Sequence, residues 1–487
     1  LDFKTYSACA SHTGIRMTVA IAAVENRYLR AMDAINAYAQ SGPLSRPCYI
    51  VVCEVFQEWY LDRYHIKLEI GMLVQLLSSI QGHHESGPNW QVVANAALKH
   101  SGFENIVHEP CLYINNDTKD ITVRQIDDFL VAYKDDGEFK SMVAKLKEKI
   151  NIEPEADLCT SYNGIEINQW RECIGMHGTK YISALVERFG WSACVSMSKA
   201  SLAPLTQELY NDIKSGTRGP PASSDEGKAL CTAIGFGFRQ LLGALIFIGV
   251  TVRVDICFSL SLLSRYAEYP AAIHYRALKR VAIYLRETKD WCLLFWRIHP
   301  MDDLPPCPHK IIPSPKDSSY KYPANPLDIG ADVDASHAND INSMRSTGGH
   351  NITMAGAAIL WSSKLQSVVA TSSTQGAFMQ AVTCCKAVKY CRHIAAELQR
   401  PMTGPSPINE DNKACIMMVN QGRPTDRTRH LAIQWFAIQE WKQNGDIEVF
   451  HVPSADNSAD NNTKGLSVAF HQRHARRAMG HYGSPYA

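Results

Sequence analysis

Two adjacent acids, Asp127 and Asp128, sit between apolar, β-favouring residues in Val123-Arg124-Gln125-Ile126-Asp127-Asp128-Phe129-Leu130-Val131-Ala132. That pattern suits a β-hairpin with the acids at its tip. Taken alone, the pair reads as an acidic turn. A second segment changes the reading. In Met32-Asp33-Ala34-Ile35-Asn36-Ala37-Tyr38 an Asp ends a short strand-like stretch and an aromatic follows five residues later. Carboxylates from separate strands that converge on two divalent ions are what nucleotidyl transfer requires. One ion activates a primer 3′-hydroxyl, and the other neutralises the triphosphate and the leaving pyrophosphate. In such a site Asp33 and Asp127 are the direct ligands, with Asp128 beside them. Tyr38 then has two readings. It sits under the incoming sugar, where its bulk rejects a 2′-hydroxyl and favours deoxynucleotides, or it is a plain core aromatic.

The last third of the chain carries another dispersed acidic set. Asp334-Ala335-Ser336-His337 follows an apolar-led, strand-like segment. Ser372-Ser373-Thr374 is a natural N-cap. The stretch after it places Phe378, Ala381, Val382, Cys385, Val388 and Ala395 largely on one helical face. Glu410-Asp411-Asn412 follows a short apolar segment, Asp446 to Val452 reads as a strand, and Asn457-Ser458-Ala459-Asp460 leads to Thr463-Lys464. The paired His83 and His84 have no partner spacing and read as solvated loop residues.

These residues need a scaffold, and the chain is long enough to supply one. Its 487 residues are 46% apolar and 20% charged, ordinary values for two to four globular domains. Residues 1–191 mix helix-period and strand-period segments. Residues 192–298 are helix-rich, with helices expected over Phe238 to Val250, Ile256 to Tyr266 and His274 to Glu287. Eight prolines between His299 and Pro326 argue against a helix or central strand there, so 299–326 reads as a linker. Residues 327–465 form the last block and 466–487 a tail. No apolar run reaches the roughly 18 residues needed to span a bilayer. Leu241 to Val250 is short and flanked by Arg239 and Arg253. The fifteen cysteines are scattered with no Cys-x-x-Cys pair, so zinc-ligand spacing is absent and a reducing, intracellular compartment fits. A net charge of +1 counts modestly against a strong grip on a duplex, although charge segregated on one face would suffice. Leu1 in place of Met suggests a cut inside a longer coding sequence.

The order of the segments resembles the reverse transcriptase of copia-type LTR retrotransposons. Tyr6-Ser7 through Ile15-Arg16 resembles the segment before the family's first catalytic Asp. Gln81-Gly82-His83-His84-Glu85-Ser86-Gly87-Pro88-Asn89-Trp90 is similar to its Gly-containing loop and following helix, which lie near template and nucleotide. Gln125-Ile126-Asp127-Asp128 matches its double-Asp motif, and Tyr162-Asn163-Gly164-Ile165-Glu166-Ile167 the strand after it. Arg239 through Ile246, Leu263-Ser264-Arg265-Tyr266 and Leu278 through Leu285 resemble its connecting region. The resemblance implies a role for Gln81 and Gly82 in substrate binding. Two departures stand out. Family members begin upstream with a basic fingers segment that holds the triphosphate, and they often carry a Lys where this chain has His83, His84 and Glu85.

The last block resembles the RNase H domain of the same elements, a mixed sheet with helices that hydrolyses the RNA strand of an RNA–DNA hybrid with two metals. Asp334, Asp411 and Asp460 are the carboxylates that carry over. Arg427-Thr428-Arg429-His430 is similar to the family's basic-His stretch, and His430 reads either as a substrate-binding residue or as a surface residue at a helix start. Where family members read Ser-Ser-Thr-Glu-Ala-Glu, this chain has Ser372-Ser373-Thr374-Gln375-Gly376-Ala377. The second Glu is the family's metal ligand, and Ala377 has no oxygen. Gln375 is uncharged and lies on a different helical face. Ala432 also replaces an Asp. RNase H activity is therefore expected to be weak or lost.

The fold expected is a multidomain α+β and α/β chain: a reverse transcriptase palm of antiparallel sheet with helices, a helical connection, and an RNase H-like mixed sheet with helices. The resemblance implies an RNA-directed DNA polymerase using Mg2+ or Mn2+. Its implied partners are an RNA template, a DNA primer, an RNA–DNA hybrid and deoxynucleotide triphosphates, with no membrane. The implied location is intracellular, in the cytoplasm, a virus-like particle or the nucleus. The competing reading is a catalytically inactive retrotransposon remnant that at most binds nucleic acid.

Overall fold

A two-residue turn, Ile126-Asp127, closes the hairpin between the strands Ile121–Gln125 and Asp128–Tyr133, with Gln125 paired to Asp128. Ile126 takes a positive φ of 59°, the left-handed conformation that tight hairpin turns demand. This hairpin is the centre of the first of two units in the computed structural model, which describes residues 7–313, 319–421 and 431–486. That unit comprises Arg30–Asp157 with the N-terminal residues as far as Ala10. Its six-stranded sheet runs in the order Phe103–Asn105, Leu112–Asn115, Ile121–Gln125, Asp128–Tyr133, Tyr28–Ala34, Ile152–Pro154. The helix Asp136–Lys147 buries Phe139, Met142, Val143 and Leu146, spaced to form one apolar stripe. Asp135 caps it by accepting from the Glu138 N–H at 2.9 Å. A small hairpin, Tyr49–Val51 with Leu73–Gln75, accompanies the helix Glu54–Tyr64, which buries none of its residues. Its aromatics Phe56, Trp59, Tyr60 and Tyr64 pack instead on one another.

The second unit comprises Ser11–Leu29 and Leu158 onward. Its first sheet is antiparallel, in the order Leu293–Trp296, Cys173–His177, Ile165–Gln169, Ser161–Tyr162. The expected helices appear as Phe238–Thr251, Cys257–Ser264 and Ala272–Glu287. The helix His12–Val24 is buried along almost its whole length. Its Arg16 donates to the carbonyls of Ile359 at 2.7 Å, Val250 at 2.8 Å and Thr251 at 2.7 Å, and stacks over Trp361. The buried pair Arg253–Asp255 meets edge to edge at 2.9 and 2.7 Å, with Tyr284 donating to the same carboxylate.

The second sheet of this unit has five strands in the order Ala357–Leu365, Thr347–Met354, Gly330–Ser336, Ser406–Glu410, Ile447–His451. The first three are antiparallel, and the last two join Gly330–Ser336 in parallel. The 25-residue helix Ser373–Glu397 starts where the Ser/Thr cluster predicts, with the Ser372 hydroxyl accepting from Gln375 N–H.

The described residues of the proline-rich stretch form neither helix nor strand, and its first half is pinned. Arg171 N–H donates to Pro305 O and Cys307 N–H to Glu172 Oε2, both at 2.8 Å. Among the described residues no single helix is long and apolar enough to cross a membrane. The pair Asp225–Ile234 and Phe238–Thr251 passes by length and composition only when its two halves are joined across a 64° bend. None of the fifteen cysteines forms a disulfide, and eight are buried.

Candidate active site

Asp33 is the penultimate residue of Tyr28–Ala34, the strand between the hairpin and Ile152–Pro154. The Ala34 N–H donates to the Asp127 carbonyl at 3.0 Å. That bond fixes the end of one strand against the turn of the other, so Asp33 and Asp127 are neighbours. All three acids are exposed. Burial and the Asp127 carboxylate hold the Asp33 carboxyl above its ordinary range. Asp128 is raised by burial, then by Asp127, Asp33 and Glu155. Mutual repulsion of this kind is the mark of carboxylates gathered where a cation would relieve them. Tyr38, half-buried in the short 3-10 helix Ala37–Gln40, has its phenol raised by burial and by Asp127.

Sequence reasoning missed two supports of this turn. The indole N–H of Trp90, fully buried in Ser86–His100, donates to the Ile126 carbonyl at 2.7 Å. The Gln125 side chain accepts from Ala10 N–H at 2.9 Å. Gln81 and Gly82 are exposed on the loop before that helix, with Gly82 at a φ of +90°. No described contact carries them to the acids. Glu85 faces away from solvent, accepting from the Ser45 N–H at 2.9 Å, which with the Ser45 hydroxyl lowers its pKa.

The second acidic set converges more tightly. Asp334, Asp411 and Asp460 each offer a carboxylate oxygen, and the three atoms lie within 4.8 Å of one another. The parallel register explains the first two, because Val333 pairs with Glu410 and an acid follows each of them in the chain. The 3-10 turn Ser458–Asn462 brings in Asp460. Thr463 donates its hydroxyl to Asp334, and Ser454 its own to Asp411. Lys464 Nζ lies 2.7 Å from Asp460 Oδ1 and 3.5 Å from Asp334 Oδ2. Burial, reinforced by Asp334, pushes the Asp460 carboxyl up to about 8. Burial holds the Glu410 carboxyl well above the ordinary carboxylate range. Three oxygen donors of this kind fit a hard divalent cation.

Gln375 is engaged locally. Its side-chain oxygen is taken by Thr371, from the N–H at 2.8 Å and the hydroxyl at 2.6 Å. Ala377 is buried. Arg427 through His430 lie outside the described residues.

A family model described as reverse transcriptase (RNA-dependent DNA polymerase) matches residues 1–203. The chain is 23% identical over 484 residues to the retrovirus-related Pol polyprotein from transposon TNT 1-94 of Nicotiana tabacum, covering 95% of this chain and 32% of that protein. It is 24% identical over 480 residues to the Pol polyprotein from transposon RE2 of Arabidopsis thaliana, covering 98% of this chain and 29% of that protein. It thus spans about a third of the length of these relatives. A solved foamy viral protease-reverse transcriptase in complex with double-stranded DNA aligns over 90% of this chain and 60% of its own, at 11% identity and a TM-score of 0.21, too loose a likeness to bear on the fold. The segment order, the hairpin acids and these relatives define a retroelement Pol chain. Residues 1–203 thus match the reverse transcriptase family, and the chain as a whole is similar to Pol polyproteins of copia-type retrotransposons.

Proposed function

We propose that this chain is an RNA-directed DNA polymerase joined to an RNase H-like domain whose site is degenerate. The observation that carries the polymerase reading is the Ala34–Asp127 backbone bond, which supports Asp33, Asp127 and Asp128 acting as one carboxylate set. Divalent ions held there, Mg2+ or Mn2+, would activate the primer hydroxyl and neutralise the triphosphate. In this reading Tyr38, close enough to Asp127 to be raised by it, lies beneath the incoming sugar, and Gln81 and Gly82 border the nucleotide. The partners are an RNA template, a DNA primer, deoxynucleotide triphosphates and the product hybrid.

The five-stranded order, with three antiparallel strands followed by two parallel ones, supports the RNase H-like reading, as does the Asp334–Asp411–Asp460 cluster. In this reading His430 contacts the hybrid. Ala377, with no oxygen, and Gln375, engaged by Thr371, support a weakened nuclease. These two residues also favour the second reading, a remnant that binds nucleic acid without turnover.

Primer extension on poly(rA)/oligo(dT) with Mg2+ or Mn2+ separates the two. Extension that Asp127→Asn abolishes is the expected result. Retention of primer-template in a binding assay, with no extension in either metal, establishes the inactive remnant. Hybrid cleavage is expected near background, and robust cleavage lost in Asp334→Asn overturns the degenerate nuclease.

A further inference from the structure

We propose that Cys173 and Cys307 are a reversible redox pair, whose disulfide fastens the proline-rich stretch to the four-stranded antiparallel sheet of the second unit. The two thiols already touch, with Cys173 donating to Cys307 Sγ at 3.4 Å across 134 residues of chain. Cys173 opens the strand Cys173–His177 and is fully buried, its register held by pairing with Trp296. Cys307 is half-buried and lies in coil. Backbone bonds bring that coil to the sheet. Arg171 N–H donates to Pro305 O and Cys307 N–H to Glu172 Oε2, both at 2.8 Å, and Met301 N–H donates to Arg171 O at 2.9 Å. Cys307 is thereby the thiol that solvent reaches, and Cys173 the partner behind it. The nearby soft ligands divide into two pairs rather than one metal-binding set. Cys292 Sγ lies 3.3 Å from His309 Nε2. Among the described residues, the ligand atoms that gather within 4.8 Å of one another are those of Asp334, Asp411 and Asp460.

A disulfide holds its sulfurs about 2.05 Å apart, so the pair must close by roughly 1.4 Å from its 3.4 Å contact. The coil side can supply that shift, because Cys307 belongs to no strand. The oxidant is a peroxide. Its O–O bond breaks as the Cys307 sulfur takes one oxygen, giving a sulfenic acid and one water. The Cys173 sulfur then attacks the Cys307 sulfur. The S–S bond forms, and the sulfenic hydroxyl leaves with the Cys173 thiol proton as a second water. Two thiols lose two electrons, and one peroxide becomes two waters. The order follows from the contact. The hydrogen bond from Cys173 holds the Cys307 thiol below its ordinary pKa, which favours the reactive thiolate there. That bond, with burial, raises Cys173. A reducing compartment keeps both as thiols, and thiol exchange undoes the bond once the peroxide is gone.

The test treats the full chain with hydrogen peroxide, blocks the remaining thiols with N-ethylmaleimide and digests it without reductant. Mass spectrometry should find the Cys173 peptide joined to the Cys307 peptide, lighter than their sum by the two thiol hydrogens. Dithiothreitol should release them. Oxidation should raise Tm by about 3–6 °C, since the bond closes a long loop, and dithiothreitol should reverse the gain. Cys307→Ser alters only the half-buried partner and should abolish both the linked peptide and the gain. Circular dichroism of the reduced parent and of Cys307→Ser verifies the fold, and the linked peptide in the parent decides the matter even if the variant fails to fold. Cys307 recovered as a sulfinic acid or as its maleimide adduct, with no link to Cys173, overturns the proposal. So does a Tm gain that persists in a folded Cys307→Ser. A zinc ion in the purified chain that Cys307→Ser loses assigns these sulfurs to a metal and overturns it too.

Discussion

The N–H of Ala34 and the carbonyl of Asp127 meet at 3.0 Å, tying the end of one strand to the turn of another and bringing Asp33 beside Asp127. The bond costs the fold something, because it gathers like charges. Burial and the neighbouring acids hold the Asp128 carboxyl above its ordinary value. A carboxyl raised in the folded state destabilises once ionised, and the penalty vanishes as pH falls below the ordinary carboxylate range. In chelator at pH 7, Asp128→Asn should therefore raise Tm by about 1–3 °C while extension falls. At pH 3 the gain should disappear. A gain that persists unchanged at pH 3 would show that repulsion is not its source.

Arg16 reaches three carbonyls and no carboxylate, so its charge is met only by backbone dipoles and the face of Trp361. Arg16→Met removes the donor from all three carbonyls, of which those of Ile359 and Thr251 are in buried bonds. The expected loss in urea unfolding is about 4 kcal/mol. Arg16→Lys should recover part of it. A loss below 1 kcal/mol in Arg16→Met would mean that water replaces the guanidinium.

His350, His471 and His481 are each lowered by burial to about 4. The folded chain excludes protons that the unfolded chain accepts at the ordinary value. Stability is therefore level above pH 7, falls from about 6.5, and has lost about 3 kcal/mol per histidine by pH 4. His350→Gln should shallow that slope by one proton, read from unfolding free energy against pH. An unchanged slope refutes the assignment to this residue.

Asp255 neutralises Arg253 where both are fully buried. Asp255→Ala strands the guanidinium and should cost about 3–5 kcal/mol. The double change Arg253→Met with Asp255→Leu should cost less than the single one. Chemical denaturation of the pair settles which way the coupling runs.

Local patterns were legible wherever a local rule governs. The alternation around Asp127 gave the hairpin, Ser372 gave the helix start, and the run before Val452 gave a strand that ends at His451. What escaped the sequence depends on partners far along the chain. Trp90 looks like a core aromatic until its indole is seen on Ile126. Nothing adjacent to Lys464 in the sequence reveals that Asp334, from the strand Gly330–Ser336, lies beside its ammonium. The proline-rich stretch reads as a free spacer, since the Glu172 that anchors it lies 135 residues upstream of Cys307.

The helix His12–Val24 has a consequence for synthesis. It is synthesised well before the strand that supplies Ile359 to Arg16, which follows 343 residues later. At about 5–20 residues per second, that is a wait of roughly 20–70 s with an apolar helix and an unmet guanidinium uncovered. A nascent chain that stalls before Ile359 cannot finish this contact, so premature termination yields a species with its most buried helix bare.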